Sequence, residues 1–160
     1  MYGEVDFSSL VSLTNKDPRE FICHVLTNKF ETFLKPFGLK ESIVTWPDTK
    51  DTNITLFVFH FSLPNKRDMK DTETKNIIKK IDDWISETFG LKRDKNKDAA
   101  RYMNFTEAPY TRIHLHYKAS KKKIVELDTL FKMEGYKEVS LNTDMFKSCT
   151  NLTSVSFPKV

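Results

Sequence analysis

Three stretches of helical period in this chain close on nearly the same punctuation, and that recurrence constrains the fold more than any other feature. Phe37-Gly38-Leu39-Lys40 ends the first, Phe89-Gly90-Leu91-Lys92 the second and Glu134-Gly135-Tyr136-Lys137 the third, with the glycines 52 and then 45 residues apart. Capping chemistry accounts for the pattern. Glycine takes the left-handed conformation past the last turn, and the apolar residue after it folds back on the helix. A lysine there meets the negative end of the helix dipole. The first helix is expected over residues 17–35. Asp17-Pro18-Arg19-Glu20 opens it as a capping box with proline at the first helical position. Its apolar stripe runs through Phe21, Ile22, Val25, Leu26, Phe30, Phe33, Leu34 and Phe37. The second is expected over 71–89, with Ile77, Ile78, Ile81, Trp84, Ile85 and Phe89 on one face. The third spans 120–134, capped by Ser120, with Ile124, Leu127, Leu130 and Phe131 inward.

Between the helices the apolar period drops to two. Strands are expected at 42–46 and 53–63, at 101–105 and 111–119, and at 137–141 and 151–157. Helix, short strand, longer strand thus recurs three times, joined by hairpins rather than crossovers. Such an order predicts an α+β fold, an antiparallel or mixed sheet covered by about three helices. It fits a single domain over residues 1–160, with possible internal units at 17–63, 71–119 and 120–158. Leu, Ile, Val and Phe number 44 of the 160 residues, enough for a buried core. The Lys/Asp-rich run at 92–98 reads as a mobile loop.

Several function classes are excluded. The four glycines, Gly3, Gly38, Gly90 and Gly135, are too dispersed for a dinucleotide-binding fingerprint, a phosphate-binding loop or a nucleophile elbow. Cys23 and Cys149 form no disulfide framework and no C-x-x-C. The opening MYGEVDFSSLVSL lacks the apolar centre of a signal peptide, and the longest strongly apolar run, 56–59, is far too short to span a bilayer. The N-x-T sequons at Asn53, Asn104 and Asn151 read as chance occurrences. These features predict a cytoplasmic or nuclear protein with no membrane partner. No cofactor is expected, and with two isolated cysteines and four histidines no structural metal site either.

The best functional lead lies in strand 111–119. Ile113, Leu115, Tyr117 and Ala119 alternate with Arg112, His114, His116 and Lys118, which gives one face a row of cationic or potentially cationic groups. Residues two apart on a strand stand roughly 7 Å apart, comparable to phosphates along an extended nucleic-acid strand. The chain then turns into Ser120-Lys121-Lys122-Lys123, where three lysines add to the positive end of a helix dipole. Alternation sets Tyr117 on the other face, so the row has no stacking platform. Lys66 and Arg67 precede the second helix as Lys121, Lys122 and Lys123 open the third, and if the units repeat these turns would lie along one edge.

Two family resemblances touch the histidines. His114-Leu115-His116 is similar to the histidine–apolar–histidine pattern of rolling-circle nucleases, but Tyr136 is followed directly by Lys137 where those enzymes space tyrosine and lysine on a helix. His60-Phe61-Ser62 resembles one half of the paired His-x-Ser/Thr of two-histidine phosphoesterases. That resemblance implies two imidazoles from symmetric strands acting as acid and base on a phosphodiester. His114 or His116 would be the second, although neither is followed by the matching hydroxyl.

The sequence therefore favours a non-catalytic binding or assembly module, a subunit of a larger complex. Its anion-binding face would comprise Arg112, His114, His116, Lys118, Lys121, Lys122 and Lys123, for an acidic protein or nucleic-acid partner. The alternative is a phosphodiester-cleaving enzyme using His60 with His114 or His116. In the enzyme, His60 must meet a later histidine across a cleft; in the module, His60 is buried and the later pair exposed.

Overall fold

A computed structural model describes residues 17–47 and 53–136. Helices α1 (Pro18–Leu34), α2 (Thr72–Phe89) and α3 (Lys121–Met133) alternate with strands β1 (Lys40–Thr45), β2 (Ile54–Pro64), β3 (Lys92–Arg93), β4 (Ala99–Met103) and β5 (Tyr110–Ser120). Short 3-10 turns follow α1 and β3. The fold is α+β, and every strand pairing is antiparallel.

The helix ends follow from side-chain chemistry. Asp17 accepts from the Arg19 backbone N–H at 3.0 Å, and its carboxylate is also held by the Arg19 guanidinium, with Nε 2.8 Å away. Arg19 thus steadies the capping carboxylate, a contact the capping-box pattern did not include. Ser120 accepts from the Lys123 N–H at 3.1 Å and opens α3 as its sequence suggests. Gly38 and Gly90 stand at φ 70 and 66, the left-handed conformation a side chain resists. Leu91, just beyond Gly90, is buried and closes the cap.

The sheet runs β1–β2–β5, with β3 and β4 both on the far edge of β5. Each of the first two helix–strand–strand units gives its long strand to the centre and its short strand to the flank. β2 and β5 pair without interruption from Ile54↔Ser120 to Pro64↔Tyr110. One face of this pair, Phe57, Phe59, Phe61 and Leu63 with Ile113, Leu115, Tyr117 and Ala119, packs into a single core with residues from all three helices. Phe30 of α1 meets Phe59 edge to face at 5.1 Å, and Phe33 stacks on Trp84 of α2 at 4.3 Å. Such contacts add to area burial. The opposite face of the pair carries Arg112, His114, His116 and Lys118 of β5 with His60 and Ser62 of β2, beside the apolar Ile54, Leu56 and Val58.

Four expectations need correction. The 92–98 run is no free loop: it forms β3 and a 3-10 turn, and Arg93 and Asp98 pin it to β5. Leu130 is 40% exposed, because the buried stripe of α3 passes through Ile124, Leu127 and Phe131. Lys66 and Arg67 do not share an edge with Lys121, Lys122 and Lys123. The antiparallel register puts the two turns at opposite ends of the β2–β5 pair, about 30 Å apart. The strand expected at 101–105 sits two residues earlier, at Ala99–Met103. The strands expected at 137–141 and 151–157 lie outside the described residues, as do Cys149 and Asn151.

Candidate functional site

The even-numbered residues of β5 project from the sheet face away from the helices, and the register supplies their neighbours. Directly opposite residues share a face, so Ser62 stands beside Arg112, His60 beside His114, Val58 beside His116 and Leu56 beside Lys118. On the other flank, Arg101 of β4 lies opposite Arg112 and Lys92 of β3 opposite Lys118. The structure thus brings together Arg112, His114, His116, Lys118 and His60. It sets Lys121, Lys122 and Lys123 apart, where the chain leaves the sheet for α3. There Lys121 and Lys122 are exposed, and Lys123 Nζ pairs with Glu126 at 3.1 Å.

Arg112 is the most constrained member. Its Nη1 donates to Ser62 Oγ at 2.9 Å, and Ser62 in turn donates to Glu41 Oε1 at 2.9 Å. Glu41 lies in β1 with φ 57, where the pairing with β2 slips between Lys40 and Ile43. A non-glycine residue in that region is uncommon, and here the irregularity accompanies a carboxylate 3.7 Å from Arg112. Arg112 Nη2 is buried with no hydrogen-bond partner among the described residues.

The imidazoles are close neighbours. His60 and His114 meet with ring centroids 4.5 Å apart and planes at 64°. His60 Nε2 lies 2.9 Å from Thr45 Oγ1 of β1. Burial, reinforced by the positive groups at His114, Arg112 and His116, pushes the His60 pKa down to about 3. His114 is lowered by burial and then by Arg112 and Arg101. His116 is also lowered by burial, with Asp98 opposing. At neutral pH these lowered values leave the rings uncharged, so of the row's cationic or potentially cationic groups Arg112 and Lys118 carry its charge.

Beneath the row a buried polar chain ties the far flank to the core. Asp98 accepts from Arg93 and from the His116 backbone N–H, Arg93 reaches towards Asp82 at 3.8 Å, and Tyr117 donates to Asp82 at 2.8 Å. This chain, together with Glu41, Thr45, Arg101 and Lys92, was missed in the sequence. Lys92, Arg93 and Asp98 stood there only within a charged run, and Arg101 only at the start of a weak strand. Lys66 is exposed, while Arg67 is tied to Glu73 at 2.6 Å and to the Pro64 carbonyl at 2.9 Å, a structural turn. Among the described residues no group of three or more His, Cys, Asp or Glu could hold a metal ion, and no helix is long and apolar enough to cross a membrane.

His60 and His114 satisfy neither expected arrangement in full: they meet as cross-strand neighbours on one sheet face, and both are half-buried. No protein-family model, curated protein or solved structure matches the chain, so the chemistry of this face is read from its own geometry.

Proposed function

We propose that the protein is a non-catalytic binding module that holds an anionic partner, a nucleic-acid strand, against the sheet face turned away from α1, α2 and α3. The observation that carries this reading is a pair of like-charge neighbours: Arg101 directly opposite Arg112, and Lys92 directly opposite Lys118. Like charges facing each other across strands destabilise a sheet. An anion laid over both pairs relieves that repulsion and gains charge-assisted hydrogen bonds. Arg101, Lys92 and Lys118 are exposed and available to it. With no anion bound the imidazoles are neutral, so the charge this face offers a partner comes from its arginines and lysines.

Anisotropy of labelled single- and double-stranded RNA and DNA at two salt concentrations, with polyglutamate as control, tests the reading. It expects salt-sensitive binding lost on Arg101→Glu with Lys118→Glu. Tight polyglutamate binding without nucleic-acid binding would assign the face to an acidic protein.

A second reading, phosphodiester cleavage by His60 and His114, is supported by their 4.5 Å ring contact on adjacent strands. Turnover of a chromogenic phosphodiester that His60→Gln and His114→Gln both abolish would favour it over the first.

A further inference from the structure

Within this face one group has unused binding capacity. Arg112 spends Nη1 on Ser62 and stands near Glu41, while its buried Nη2 has no partner among the described residues. A guanidinium presents a planar fork that matches two oxygens of an oxyanion. Two residues along the same strand face, roughly 7 Å away, stands His114. An oxyanion seated on Arg112 therefore comes within reach of that imidazole. His60 lies against His114 from the neighbouring strand and is already engaged by Thr45.

Resting on the reading of this face as anion-binding, we propose that it takes a doubly charged oxyanion of the phosphate-monoester class between Arg112 and His114, and that His114 takes up one proton as the anion binds. Charge counting sets the class. Arg112 and Arg101 opposite it supply two positive charges against one negative at Glu41, and an imidazolium at His114 brings the net to two, which matches a dianion. The ring contact sets the stoichiometry: with centroids 4.5 Å apart, a first imidazolium opposes a second at His60. The groups facing His114 are His116 and Arg112 on its own strand, Arg101 on β4, His60 and Ser62 on β2, and, through Arg112, Glu41 on β1. Beyond them, Asp98, Lys97 and Asp94 face His116. In the empty site burial, and then Arg112 and Arg101, resist protonation of His114; an oxyanion between Arg112 and His114 works against both.

The test is titration calorimetry of the full chain with sulfate and with inorganic phosphate, in two buffers of different ionisation enthalpy. Sulfate holds its charge across the range, so its pH dependence reports the protein alone. The expected result is close to one proton taken up per anion, and sulfate affinity rising by up to about tenfold for each unit of pH decrease. His114→Gln should bind with that uptake lost. Arg112→Gln should weaken binding about tenfold or more at every pH, and dimethyl phosphate, a singly charged diester, should bind about tenfold more weakly than phosphate. Circular dichroism checks that both variants fold.

A 5′-phosphorylated tetranucleotide that displaces sulfate, when its 5′-hydroxyl counterpart does not, assigns the phosphate to a strand end. Displacement by neither assigns it to a small free ligand. Binding without proton uptake, or uptake that survives His114→Gln, overturns the proposal while the anion-binding reading stands. Absence of all binding, nucleic acid included, overturns both.

Discussion

Asp98 grips Arg93 through one carboxylate oxygen, Oδ2, which lies 2.8 Å from Nε and 2.7 Å from Nη2, and turns the other to the His116 backbone N–H at 2.9 Å. Their side chains are 3% and 14% exposed, so both charges have left most of their water. The pair fastens the segment after α2 to the edge of β5, at the residue where the histidine row is displayed. Tyr117 and Asp82 continue the linkage into the core. The candidate face is thus backed by a polar clamp as well as by apolar packing.

Removing one partner of such a pair leaves the other buried and uncompensated. Asp98→Ala is expected to destabilise the fold by about 3 kcal/mol, since it strands Arg93 and frees the His116 N–H. Replacing Arg93 and Asp98 together with apolar residues should cost much less than the two single changes added. Urea denaturation of the three variants checks this, and simple additivity would mean that the two groups do not act as a pair.

The helices and the two long strands were legible because their signals are local. Asp17 and Ser120 announce helix starts, Gly38 and Gly90 announce ends, and the alternation from Ile113 to Ala119 assigns its own faces. Pairing is not local, and most of the site depends on it. Glu41 and Ser62 reach Arg112 from 71 and 50 residues away, and nothing near Arg112 indicates them. The run from Lys92 to Asp98 looked like a solvated loop because alternating charge suits water equally well. Arg93 and Asp98 are only five residues apart, but what takes them out of solvent is their docking on β5, which the run itself does not announce. The same blindness affected the histidines, whose protonation is set by burial and by cations on neighbouring strands.

The buried imidazole predicts an acid-labile fold. His60 titrates near 3 when folded, below its ordinary value near 6.5. Above about pH 6.5 the ring is neutral in both states and its contribution is fully present. As pH falls, the unfolded chain binds a proton that the folded one refuses, and stability drops by about 1.4 kcal/mol per unit. The window runs down to about pH 3, and its upper part, above about pH 5, is nearly free of carboxylate titration. His60→Gln can still bond Thr45 and should flatten the stability profile there by about one proton. Chemical denaturation between pH 7 and 5 in an anion-poor buffer measures the slope; an unchanged slope in the variant would show that His60 titrates normally.

Gly90 and Gly38 separate backbone strain from crowding. Both have positive φ, so alanine at either should cost about 1 kcal/mol. At Gly38 an added Cβ meets nothing within 4 Å, whereas at Gly90 it would come 2.7 Å from Lys123 Nζ. That ammonium ends a flexible side chain held by Glu126 at 3.1 Å, and it can swing away. The two substitutions should therefore differ by less than about 0.5 kcal/mol. A much larger cost for Gly90→Ala that disappears in a Lys123→Ala background would show instead that the lysine is rigidly placed.

Two clusters of positive charge compete for the role of binding surface, and the sheet geometry separates them. Arg101 and Lys118 lie on the face with the cross-strand like-charge pairs. Lys121 and Lys122 extend into solvent at the start of α3, beyond the end of β5, and Lys123 is spent on Glu126. Lys121→Glu with Lys122→Glu changes the net charge as much as Arg101→Glu with Lys118→Glu does, so long-range attraction falls equally in both. The difference between them then reports local contact. The sheet pair should lower nucleic-acid affinity by at least about tenfold more than the helix pair, and should also reduce the slope of log affinity against log salt by one to two ions. Both double variants should melt within a few degrees of the parent, because each changes only exposed side chains. Equal losses in the two would mean that the partner senses net charge alone, and a greater loss from the helix pair would move the binding surface to the start of α3.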